Sequence, residues 1–166
     1  MVAAMEGREI FTAKLVESLY CEAMVLADEA RSYFERDDQA DTDTLDAVDR
    51  VNLSCESLRV TTRLMHSIAW LLNQKAYFAG EISHKQLFGR GRALGKSAPS
   101  DPQIVARLPD AAQLLVRESE KLFARLARLE KSLELEQLGF ADIAEERAPP
   151  VHQLRDQLEQ ALLGQI

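Results

Sequence analysis

Residues 48–83 read VDRVNLSCESLRVTTRLMHSIAWLLNQKAYFAGEIS. Within them Val48, Val51, Cys55, Leu58, Thr62, Met65, Ala69, Leu72 and Ala76 follow one another at steps of three and four. That spacing marks one face of an α-helix sustained for about eight turns. No alternation of period two is present, so a strand is excluded. Gly80 ends the pattern and suits a left-handed C-terminal cap. Asp43 or Thr44 is expected to cap the start, with Asp46 and Asp49 in the first turns, where the partial positive charge of a helix N-terminus favours carboxylates.

On the N-terminal side the first seven residues are expected to fray. A second long helix is expected from Glu9 to Arg36, with Phe11, Leu15, Leu19, Ala23, Leu26, Ala30 and Tyr33 as its stripe. It stops in DDQADTD, where Asp and Thr compete for backbone hydrogen bonds and favour turns. Past Gly80, Ser83 and Gln86 have the spacing of a capping box and predict a helix of one or two turns. GRGRALGKSAPSDP, residues 89–102, reads as loop. Asp101-Pro102 can open another short helix, which must end before Pro109. A third long helix then runs from Asp110, with Ala112, Leu115, Ser119, Leu122, Leu126, Leu129 and Leu133 inward, to a stop at Gly139. Pro149 and Pro150 precede a last amphipathic stretch ending at Gly164.

These elements predict an all-α protein: an antiparallel three-helix bundle of long helices with short extra helices, over residues 8–139. Residues 140–166 form a C-terminal segment with a short helix. The chain has 166 residues, enough for one core, and a net charge of −7. An acidic chain of this kind is not a general nucleic-acid binder, since a phosphate backbone needs a basic face. No signal-peptide pattern opens the sequence, and its longest apolar run, Ile68 to Leu72, is far short of the ~20 residues of a membrane span. The expectation is a cytoplasmic protein without membrane contact. Cys21 and Cys55 read as small core hydrophobes.

Around the circumference of the 48–83 helix, Leu53, Val60, Leu64, Ile68, Leu71 and Phe78 flank the first stripe and widen the apolar arc to roughly 200°, against ~100° for an ordinary surface helix. Two sides must therefore be covered, and a homodimer is expected with Val60, Leu64, Ile68, Leu71 and Phe78 as contact residues. The third side carries Glu56, Arg59, Arg63, His66, Trp70, Gln74 and Tyr77. Arg59, Arg63, Trp70 and Tyr77 are candidate partner contacts because Arg, Trp and Tyr dominate binding hot spots. The competing reading packs Trp70 and Tyr77 under the first or third long helix, with Arg59 or Arg63 paired to Glu22, Asp28 or Glu29 there.

Lys85, Arg90, Arg92 and Lys96 lie in a segment without acids, whereas residues 35–49 hold seven acids and one base. The basic end, with Lys85, Arg90 and Arg92, is either solvated loop or a docking patch for an acidic partner. GRGRALGKS imitates a phosphate-binding loop, but the first glycine of that pattern falls on Arg90 and no strand precedes it. His66, His84 and His152 lie in separate elements, and no His or Cys pair has ligand spacing. No metal site, cofactor or catalytic constellation is expected, and the chain is not read as an enzyme.

At Glu56-Ser57-Leu58-Arg59-Val60-Thr61-Thr62-Arg63-Leu64-Met65, followed by Trp70-Leu71-Leu72, Gln74-Lys75-Ala76 and Gly80-Glu81, the sequence resembles the regulator of CtrA degradation (RcdA) family of alphaproteobacteria. Leu19-Tyr20, Glu22-Ala23, Glu29-Ala30 and Tyr33-Phe34 resemble that family's first helix; the likeness spans roughly residues 15–135. The resemblance implies a dimeric three-helix bundle and a non-enzymatic adaptor that helps deliver cell-cycle regulators to the ClpXP protease, with other adaptors and cargo as partners. A structural or regulatory homodimer without a protease role is the alternative, followed by a ligand-sensing helical bundle.

Overall fold

The computed structural model describes residues 2–35 and 43–147, and their side chains over 9–35 and 43–136. The described residues form five helices and no strand: α1 (Val2–Glu35), α2 (Ala47–Phe78), α3 (His84–Leu87), α4 (Pro102–Val105) and α5 (Asp110–Arg147). No described helix is long and apolar enough to cross a membrane. The chain divides into two compact units, Met1–Arg128 and Leu129–Ile166. The division falls inside α5, and the sites below all lie in the first unit.

The helix boundaries follow local chemistry, with three corrections. α1 begins at Val2 rather than Glu9, since Ala3, Ala4, Met5 and Glu6 are good helix formers and only Gly7 weakens the run. α2 begins after Asp46, not Asp43 or Thr44; the Asp46 carboxylate accepts from the Asp49 amide at 2.7 Å. α5 passes through the expected stop at Gly139 and continues to Arg147. A single glycine costs about 1 kcal/mol in a helix, and the Ala-, Glu- and Ile-bearing turn after it sustains the pattern. The expected final helix, beyond Pro150, lies outside the described residues.

Elsewhere the expected signals operate. Gly80 sits at φ 75° just past α2, where a residue without Cβ meets no strain. Ser83 and Gln86 form a reciprocal capping box on α3, and Asp101 caps α4 ahead of Pro102.

The core of the first unit is built from Val16, Leu19, Ala23, Leu26 and Ala30 of α1, from Val60, Leu64, Trp70 and Leu71 of α2, and from Ala112, Leu115, Val116, Leu122 and Leu126 of α5. For α1 and α5 most of the expected inward residues are buried, although Phe11 is exposed. α2 departs from its expected orientation. Val48, Val51, Leu58, Met65 and Leu72 are exposed, between 47% and 68% of their full surface, and Cys55, Thr62 and Ala69 are exposed with them. The buried face of α2 is the opposite one, carrying Asp49, Glu56, Val60, Arg63, Leu64, Ser67, Trp70, Leu71 and Gln74.

Candidate functional site

Two surfaces on α2 concern function: a polar network on its inner face and an apolar seam on its outer face.

The inner network centres on Arg63, only 2% exposed. Its Nε donates to Ser97 Oγ at 3.1 Å and its Nη1 to Ser119 Oγ of α5 at 2.8 Å. Its Nη2 donates to the Ala98 carbonyl at 3.2 Å and to Ser100 Oγ at 3.3 Å, and meets Glu120 Oε1 at 3.5 Å. Glu56, fully buried, accepts from Ser100 Oγ at 2.6 Å and from the guanidinium of Arg59, one helical turn away. Glu120 also accepts from the Ser100 amide at 3.1 Å. Burial pulls the Arg63 guanidinium below its ordinary pKa, and the negative charges of Glu120 and Glu56 oppose that shift. Each of the three guanidinium nitrogens has a partner, which lowers the penalty for burying the charge.

This network fastens the glycine-rich loop against α2. Arg92 reinforces it with a 2.7 Å bond to Asn73 Oδ1. At Gly95 the backbone approaches α2 so closely that an added Cβ would lie 2.4 Å from His66 Nδ1. The loop that imitates a phosphate cradle is thus a strap whose glycine admits close approach to a side chain.

The individual candidates resolve as follows. Trp70 is 2% exposed and Arg63 is inside the network, so neither is available to a partner; the packing reading holds for both. The acids that meet Arg59 and Arg63 come from α2 and α5 rather than from α1 as expected. Tyr77 is half-buried, edge-on to Phe78 at 5.3 Å and to His84 at 6.0 Å. Lys85 and Arg90 are exposed, and so is Lys96. Val60, Leu64 and Leu71 are buried within their own chain and Ile68 and Phe78 half-buried. Of the expected dimer contacts, Val60, Leu64 and Leu71 are therefore corrected to intrachain core, and the stripe first read as core faces solvent. Cys21 and Cys55, expected inside, are both exposed free thiols.

The outer surface is a strict heptad seam. Counting from Val48, Cys55, Thr62, Ala69 and Ala76 recur every seven residues, as do Val51, Leu58, Met65 and Leu72 three places later. A two-in-seven apolar stripe is the narrow seam of a coiled coil rather than the broad face of a core helix. Elsewhere, α1 and α5 border a shallow cavity of about 380 Å³ lined by Cys21, Glu22, Val25, Leu26, Glu29 and Glu118. Its rim is braced by Arg125 on Glu22 at 2.7 Å and Lys121 on Glu118 at 2.8 Å. No group of three or more His, Cys, Asp or Glu side chains placed to hold a metal exists among the described residues.

The fold and these surfaces define an all-helical protein with an exposed heptad-spaced apolar stripe. The chain belongs to the family described as "Protein of unknown function (DUF1465)", whose profile matches residues 7–162. No curated protein and no solved structure gives a significant match.

Proposed function

We propose that this protein works by protein–protein contact, as a homodimer of antiparallel three-helix bundles that pair through the outer face of α2. The supporting observation is the solvent exposure of Val48, Val51, Leu58, Met65 and Leu72 in one continuous stripe. Monomeric proteins seldom leave so long an apolar stripe uncovered. The resemblance to the RcdA family extends the reading: a cytoplasmic, non-enzymatic adaptor that raises the effective concentration of cell-cycle regulators at the ClpXP protease. An adaptor of that kind needs two contact surfaces and no chemistry. Under this reading the seam joins the two copies, and each copy presents a loop-bearing end with Lys85 and Arg90 that would receive an acidic partner, so that one dimer carries two contact surfaces.

Sedimentation at micromolar concentration tests the first half, with a species of twice 18.6 kDa expected. A pull-down from native cytoplasm tests the second. ClpX and cargo in the eluate are expected; self-association alone would favour the structural homodimer and remove the adaptor role.

A further inference from the structure

Building on the proposed self-association, we infer that two copies of α2 pair antiparallel, in the register that sets residue i opposite the partner's residue 127 − i. The inference rests on how side-chain size is distributed along the seam. After Val48, small residues, Cys55, Thr62, Ala69 and Ala76, occupy one of its two heptad positions; larger ones, Val51, Leu58, Met65 and Leu72, occupy the other. All but Ala76, which is half-buried, are exposed.

In a parallel, in-register pair each position faces its own copy. Ala69 would meet the partner's Ala69 and leave a void, while Met65 would crowd against the partner's Met65. Interiors tolerate neither voids nor overpacking well. Reversing one helix brings the small position opposite the large one. Thr62 then meets the partner's Met65, Leu58 the partner's Ala69, Cys55 the partner's Leu72 and Val51 the partner's Ala76. Every layer holds one large and one small residue, and the overlap uses the whole length of α2.

The helix dipoles favour the same arrangement, since antiparallel pairing opposes them. The ends of α2 carry mixed charge, with Asp43, Asp46 and Arg50 exposed at the entry and Glu81, Lys85 and Arg90 exposed at the exit, and Asp46 is paired with Arg107 of its own chain. Positions beside the seam, Asn52, Arg59, His66 and Asn73 on one side and Ser54, Thr61, Ile68 and Lys75 on the other, include no carboxylate. Direction is therefore left to the layers and the dipoles.

The protein's own thiols supply the test. Cys21→Ser leaves Cys55 as the one thiol. In the proposed register the two Cys55 are separated by 17 residues along the axis, roughly 25 Å, so mild oxidation should leave C21S without a covalent dimer. Adding Leu72→Cys should give a disulfide between Cys55 and the partner's residue 72, with on the order of tenfold more covalent dimer than C21S because the thiols are held together. An intrachain bridge is impossible over the same 25 Å. A second pair, Leu58→Cys with Ala69→Cys in a chain lacking both natural cysteines, should cross-link 58 to 69 between copies. Peptide mapping reads the linkage. A dimer by sedimentation that links Cys55 to the partner's Cys55 would overturn the antiparallel arrangement in favour of a parallel one. A dimer giving none of these linkages would overturn the register while leaving self-association intact. A monomer by sedimentation would overturn both.

Discussion

The two faces of α2 reverse the usual assignment of polar and apolar side chains. The face turned inward carries Glu56, Arg63, Ser67 and Gln74 among its buried residues; the face turned outward carries valine, leucine and methionine. The inward face is polar because it holds down a loop. A strap such as residues 95–100 has backbone and serine groups that need partners, and Arg63 with Glu56 supplies them from a rigid helix. Apolar side chains could pack there but could not orient the loop. The outward face needs no orientation from within the chain, so its side chains are free to be largely apolar and evenly spaced. The lesson is that a buried ionic network and an exposed heptad can share one helix when one serves the fold and the other serves association.

The sharpest break in that comparison is Arg63→Ala. It would remove the buried cation that Glu120 and Glu56 counterbalance and strand Ser97, Ser119 and the Ala98 carbonyl, and should destabilise the protein by about 3–5 kcal/mol; denaturant unfolding measures it. The seam should behave oppositely. Leu58→Asp should weaken dimerisation by about 2 kcal/mol or more, roughly thirtyfold in Kd. Far-UV spectra and the fold of the monomer should be unchanged, with sedimentation as the readout. If Leu58→Asp unfolded the chain instead, the outer face would have to be core after all. Gly95→Ala tests the strap between these extremes: a Cβ against His66 should cost about 1–2 kcal/mol by overpacking, read as a lowered Tm. Asp46→Ala removes the α2 cap and should cost about 1 kcal/mol in denaturant unfolding. Arg125→Ala breaks an exposed pair with Glu22 and should change stability by less than about 1 kcal/mol, an effect that salt diminishes further. A Tm that falls as far for Arg125→Ala as for Arg63→Ala would erase the distinction between buried and surface ion pairs here.

Helix existence was readable from spacing throughout: α2 from its three-and-four steps, α3 from Ser83 and Gln86, α4 from Asp101-Pro102. Orientation was readable for α1 and α5, whose apolar stripes point inward. It was misread for α2 because periodicity locates an apolar stripe without saying what covers it. The signal that could have corrected the reading was present: Asp49, Glu56, Arg63 and Trp70 recur at steps of seven, and Ser119 interrupts the leucine stripe of α5 where it meets Arg63. A polar residue breaking one helix's inward stripe, with a matching polar run on another, marks a buried pair. The strap was recognised as loop, but its fastening was invisible because Arg63 and Ser97 are 34 residues apart in sequence.

By itself, then, the sequence determined the all-helical class and the caps that start and stop several helices. These depend on residues within a turn or two of one another, where backbone geometry fixes the outcome. Only the tertiary structure decided which side of α2 faces inward. That choice is made by Glu56, Arg63, Ser100 and Ser119 finding partners across long sequence separations. Once a buried ionic network claims one face of a helix, its apolar seam is left on the other, facing solvent.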